Sequence, residues 1–143
     1  MTIRVQREPF DPWGEVTAYQ ATRVETWGGK CGATAAFVGT MRDFNQGETV
    51  SAMTLEHYPG MTEGYLEKIR TEAMSRWNIV DALVIHRYGP LTPNEPIVLV
   101  AVWSSHRDDA FAACRYLIDE LKTRAPFWKH EQTAGGERWV KPG

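Results

Sequence analysis

The segment EPIVLVAVWSS, Glu95 to Ser105, is the strongest constraint in this 143-residue chain. In an extended strand Val98, Val100 and Val102 point to one side, and Leu99, Ala101 and Trp103 to the other. A strand with no polar face belongs in the middle of a sheet. The remaining elements are read outward from it. CGATAAFVGT predicts a second buried strand from about Gly32 to Gly39, and VDALVIHRYG a third. TIRVQREP alternates weakly and reads as a short strand. VSAMTLEHY reads as another, which Pro59 and Gly60 break.

Three stretches have helical periodicity. Asp11 is a good N-cap and Pro12 suits the first helical position. Trp13, Val16 and Tyr19 or Gln20 then recur near helical spacing until Gly28 and Gly29. MTEGYLEKIRTEAMSRW places Met61, Leu66, Ile69, Ala73 and Trp77 on one stripe. RDDAFAACRYLIDELKTR predicts the last long helix, with Phe111, Cys114, Leu117, Ile118 and Leu121 on its buried face. Pro126 forbids its continuation. MRDFNQGET reads as a loop with Asn45 and Gly47 as turn residues. FWKHEQTAGGERWVK reads as a hairpin turning near Gly135 and Gly136. Strands and helices alternate without a strict parallel rhythm. The expected class is therefore α+β: helices packed on a mixed or antiparallel sheet with an added C-terminal β-hairpin, in one domain over residues 1–143.

Composition removes several function classes. Hydrophobic residues make up 43% of the chain, enough for a core, and the net charge is -2, which argues against a general nucleic-acid binder. No apolar run approaches the roughly 20 residues of a membrane span. MTIRVQREPFDPWGEV has no apolar leader, and Cys31 and Cys114 are unpatterned, so a cytoplasmic protein is expected. The four histidines have no metal spacing, so neither a metal nor a resident cofactor is expected.

The chemistry concentrates in LKTRAPFWKHE, Leu121 to Glu131. Lys122 in the last turn of a helix complements the helix dipole, and Lys129 suits a solvated strand position. Against that plain reading, Pro126 turns the chain so that both side chains can enter one corner, with Phe127 and Trp128 as apolar walls. Two ammonium groups in a partly dry pocket depress each other's pKa, which suits a proton carrier or nucleophile. SSHRDDAF places His106 and Arg107 at a helix start, where an anion can bind. The competing reading is a cap by Ser105 with Asp108 and a paired Arg107. Arg42 lies in a loop just past a buried strand, a common position for a functional side chain. His86 and Arg87 read as structural, as do Glu56 and His57. Cys114 lies on an apolar helix face and behaves as a small hydrophobe.

Taken in order, GATAAFVGTMRDFNQG, MTLEHYPGM, Arg76-Trp77, VIHRYGPL, SSHRDDAF and LKTRAPFWKHE with a closing RWV resemble the large, catalytic subunit of molybdopterin synthase. The set runs from about Gly32 to Val140. The resemblance implies an α/β hammerhead-like fold. It implies a sulfurtransferase of molybdenum cofactor biosynthesis that converts cyclic pyranopterin monophosphate (precursor Z) to molybdopterin. The sulfur would come from a C-terminal Gly-Gly thiocarboxylate on a small ubiquitin-like carrier subunit. A central homodimer within a heterotetramer would result. The resemblance further implies that Lys122 and Lys129 are catalytic, and that Thr40, Met41, Arg42, His106, Arg107, His130 and Glu131 bind substrate. Two other functions fit the residues: a non-catalytic adaptor that docks a ubiquitin-like tail, and an enzyme acting on another phosphorylated metabolite.

Overall fold

The computed structural model describes residues 2–124 and 126–140. Its first sheet has the strand order β1 (Ile3–Gln6), β5 (Ile79–Arg87), β7 (Pro96–Ser104), β2 (Ala33–Thr40). β1 runs parallel to β5 and the other neighbours are antiparallel, so the sheet is mixed. The doubly apolar segment is β7, an interior strand as expected. Val98, Val100 and Val102 pack in one core with α2 (Met61–Arg76) and α3 (Arg107–Arg124). Leu99, Ala101 and Trp103 pack in another with Tyr19 and Trp27 of α1 (Pro12–Trp27). Each face of β7 thus has its own helical cover, which is why neither face carries a polar residue from Ile97 to Trp103.

A second, antiparallel sheet is built on β4 (Glu48–His57). β4 pairs with β3 (Phe44–Asn45), with β6 (Gly89–Leu91), and along most of its length with β8 (Phe127–Thr133). β8 turns back into β9 (Gly136–Val140), the expected C-terminal hairpin. A third core of Met41, Val50, Met53, Leu55 and Leu91 lies beneath this sheet. The loop expected at Met41–Thr49 contains β3 and a tight turn at Gln46 and Gly47, both with positive φ (51° and 82°). Two successive positive φ values match the twist of a two-residue hairpin, and glycine takes the second without strain.

Two helical stripes differ from expectation at their ends. Phe111 is 66% exposed and Met61 64% exposed, although both follow the spacing of their buried neighbours. At 3.6 residues per turn Phe111 falls beside the arc of Ala110, Cys114, Leu117 and Leu121, not within it. It borders an open groove with Ala36 and Phe37 of β2. Met61 is the first residue of α2. No helix among the described residues is long and apolar enough to cross a membrane.

Candidate functional site

The corner at Pro126 brings both lysines to one place. Lys122 comes from the last turn of α3 and Lys129 from β8, opposite Leu55 of β4. Together with Ile97 they border two clefts. One cleft is apolar, walled by Leu55, Ile97, Val98, Ile118, Leu121 and Phe127, with His86 as its remaining polar residue. The other is polar and is lined by Thr40, Met41, Arg42, Phe44, Asn45 and Glu131 among others. Both lysines therefore line an apolar cleft and a polar one at once. Among the described residues neither lysine makes a salt bridge.

Lys122 is exposed as a residue, yet its ammonium is partly desolvated. Desolvation first, then the positive charges of Lys129 and Arg42, hold its pKa below the ordinary lysine value. The direction matches the expectation from two cations in one corner. A larger neutral fraction near neutral pH lets Lys122 exchange protons, and its charged form attracts an anion. No thiol competes for the chemistry here. Cys114 is buried, and burial pushes it up to about 11. Cys31 and Cys114 are both free.

The Arg42 loop is held by a bridge that the sequence did not reveal. Arg138 of β9 donates from Nε to Glu131 Oε1 at 2.9 Å and from Nη2 to the Asn45 carbonyl at 2.7 Å. Asn45 Nδ2 donates to the other Glu131 oxygen at 2.9 Å. Glu131 is 3% exposed, with both oxygens engaged. Its carboxylate borders the polar cleft and ties the β3–β4 hairpin to β8 and β9 beside Arg42. Met41 is likewise a buried core residue at the cleft floor.

Strand alternation removes two expected neighbours. Phe127, Lys129 and Glu131 share one face of β8, so Trp128 and His130 point to the opposite face. Trp128 packs edge-on against Tyr58, and His130 lies against Trp139. Only Phe127 of the two aromatic residues is a wall of the lysine cleft. His130 is not in either cleft. This signal was present in the sequence once FWKHEQT was assigned as a strand.

His106 and Arg107 are exposed and lie at the other end of α3. Sixteen residues at ~1.5 Å each put His106 roughly 24 Å from Lys122 along the axis. The competing reading, a cap by Ser105, does not hold, because its Oγ donates to the Lys30 carbonyl. The His106 amide is instead taken by Ser104 Oγ at 3.3 Å. Gly32 fits under this loop because a Cβ there would lie 2.4 Å from the Ser105 carbonyl oxygen. Arg107 makes no salt bridge among the described residues, and no cluster of three metal-ligating side chains is found among them.

His86 is the residue whose place in the site was missed. It is buried, stacked on Phe127 with ring centroids 3.8 Å apart, and on the wall of the apolar cleft. Burial first, with Lys122, His57 and Lys129 also contributing, lowers its pKa from 6.5 to about 3. The imidazole is neutral in the folded chain. Between those values the unfolded chain binds a proton that the folded chain does not. Stability therefore falls as pH drops through that window, by ~1.4 kcal/mol per pH unit from this residue. Urea midpoints measured from about pH 6.5 to 4.5 should fall more steeply for the parent than for a His86→Phe variant. Parallel slopes would contradict the assignment.

The chain is similar to known proteins along most of its length. The family model described as MoaE protein matches residues 5–124. The molybdopterin synthase catalytic subunit of Ralstonia nicotianae is 57% identical over 139 residues, covering 97% of this chain and 76% of that one. The Escherichia coli subunit of the same name is 48% identical over 139 residues, covering 97% and 89%. The structure of molybdopterin synthase from Staphylococcus aureus superposes with a TM-score of 0.84 at 29% identity, covering 99% and 98% of the two chains.

Proposed function

Because the chain belongs to the MoaE protein family, we propose that it is the catalytic subunit of molybdopterin synthase, a cytoplasmic sulfurtransferase that converts precursor Z to molybdopterin. The observation that carries the reading is the placement of Lys122 and Lys129 between an apolar cleft and a polar one. The apolar cleft suits the extended Gly-Gly tail of a small ubiquitin-like carrier, with its thiocarboxylate at the lysines. The polar cleft, with Arg42, suits a pterin phosphate. Lys122 stabilises the thiocarboxylate charge and then that of the carboxylate left after sulfur departs. Lys129 moves the proton needed when the cyclic phosphate opens. Arg42 holds the phosphate through its planar fork. Phe127 keeps water from the tail.

Incubation with a thiocarboxylated small subunit and precursor Z should yield molybdopterin. Binding of the small subunit without turnover would favour the adaptor function. Turnover of a different phosphorylated metabolite in place of precursor Z would favour the third reading.

His106 and Arg107 enter this scheme across a dimer. Within one chain they are too far from Lys122 to share one small substrate. A groove lined by Phe37 of the edge strand β2, and by Phe111, Cys114, Arg115, Ile118 and Lys122 of α3, runs along the same helix. Its exposed aromatic residues suit burial by a second copy. A two-fold contact there carries His106 and Arg107 of one copy toward Lys122 of the other. Mixing inactive His106→Ala/Arg107→Ala protein with inactive Lys122→Ala protein, under subunit exchange, should restore part of the activity. Mixed dimers that stay inactive would refute the shared site.

A further inference from the structure

The backbone carbonyl of Arg87 lies 2.7 Å from His86 Nδ1. A carbonyl oxygen only accepts, so Nδ1 carries the proton and donates it. In the neutral ring Nε2 is then a bare acceptor. It has no partner among the described residues, and it is not one of their sealed-off polar atoms without a hydrogen bond. The ring is fixed by that bond and by the Phe127 stack, and it borders the apolar cleft. Every other lining side chain there is either aliphatic, aromatic or a lysine. The cleft thus offers two cationic donors and one neutral side-chain acceptor on otherwise apolar walls.

That set matches the end of a peptide. A terminal carboxylate or thiocarboxylate accepts from the ammonium groups. The last amide N–H, a few ångströms behind it, needs an acceptor once it leaves water, since a buried donor left unpaired is destabilising. We propose that His86 Nε2 accepts the hydrogen bond of the terminal amide N–H of a peptide tail whose carboxylate lies between Lys122 and Lys129. The inference rests on the reading of the apolar cleft as a tail channel and assigns His86 as a tail-binding residue. The titratable groups facing the ring are Lys122 from α3, Lys129 from β8 and His57 from β4, all basic. The two lysines donate toward the cleft, and His57 is not among its lining residues.

The test is a two-by-two binding comparison. Two synthetic six-residue peptides are used, one ending in Gly-Gly with a free carboxylate, the other with sarcosine as its last residue, which lacks the N–H. Each is titrated against the parent chain and against His86→Phe, which keeps the stack and removes the acceptor. For the parent, sarcosine should weaken binding about tenfold, the size expected of one buried hydrogen bond. His86→Phe should weaken the Gly-Gly peptide by the same factor, and both changes together should cost no more than either alone. In the parent chain, the nitrogen-15 resonance of His86 Nε2 should move on adding the Gly-Gly peptide and stay in place with sarcosine. This second readout needs no variant to fold. If the Gly-Gly peptide fails to bind the parent, the tail-channel reading itself falls. If it binds but sarcosine costs nothing, or the two penalties add, the His86 assignment alone is wrong.

Discussion

Lys122→Ala is expected to fold like the parent and to lose at least a hundredfold in product formation. Lys122 is exposed in the last turn of α3, where a cation complements the helix dipole by about 0.3–1 kcal/mol. Its removal also relieves repulsion with Lys129 and Arg42, both of which depress its pKa. The two effects oppose each other, so Tm should move by only about 3 °C. Activity has no such compensation. A preorganised charge at a developing anion accounts for ~10²–10³ in rate when one donor is removed. Lys122→Arg keeps the charge on a broader, less compact group and should recover activity only in part. A folded Lys122→Ala protein with near-parental turnover would remove Lys122 from the mechanism.

The largest stability effect should come from a residue far from the lysines. Asp81 is 5% exposed, at an irregularity in the β5–β7 register. Its Oδ2 accepts from the Tyr19 hydroxyl at 3.0 Å and from Trp27 Nε1 at 3.2 Å. Its Oδ1 accepts from Arg70 Nη2 at 2.7 Å and from the Ala82 amide at 2.8 Å. One carboxylate thereby ties α1 and α2 to the first sheet. Asp81→Ala strands a hydroxyl and an indole N–H and takes the carboxylate from a half-buried guanidinium, which keeps its Nε bond to the Ala82 carbonyl. Removing one partner from a buried pair costs about 3–5 kcal/mol. For a chain of this length that is a Tm loss of roughly 10–15 °C. Activity per folded molecule at low temperature should persist, because among the described residues none that lines the two lysine clefts bonds to Asp81. A Tm change under about 3 °C would show that the network contributes little.

The sequence carried the main architecture because its signals were local. The both-sided apolar run marked β7, and Pro126 closed α3 at Arg124. The Gly135-Gly136 pair marked the β8–β9 turn. β6 was not legible, since Gly89, Pro90 and Leu91 are too few to show a period and contain a proline. Asp81 gave no signal either. Its partners Tyr19 and Trp27 lie 62 and 54 residues away, and only the packed sheet brings them together. For the site, the lysine pair was visible through the Pro126 corner. The polar bridge of Arg138, Glu131 and Asn45 was not, because it spans three strands. His86 looked structural for a sound reason: it is buried and tied to the backbone. That it also faces the lysines depends on which sheet face α3 covers, and no local pattern encodes that.

The central claim is that Lys122 and Lys129 mediate sulfur transfer from a carrier's tail to a pterin. The most direct measurement follows both partners at once in a single-turnover reaction. Mass spectrometry reads the conversion of tail thiocarboxylate to carboxylate, and fluorescence of the oxidised pterin reads the dithiolene product. The parent chain should consume two thiocarboxylates for each molybdopterin formed. Lys122→Ala should bind the same carrier while leaving thiocarboxylate and precursor Z unchanged. Dithiolene formed at the parental rate by the variant, or precursor Z left untouched by the parent, would contradict the account.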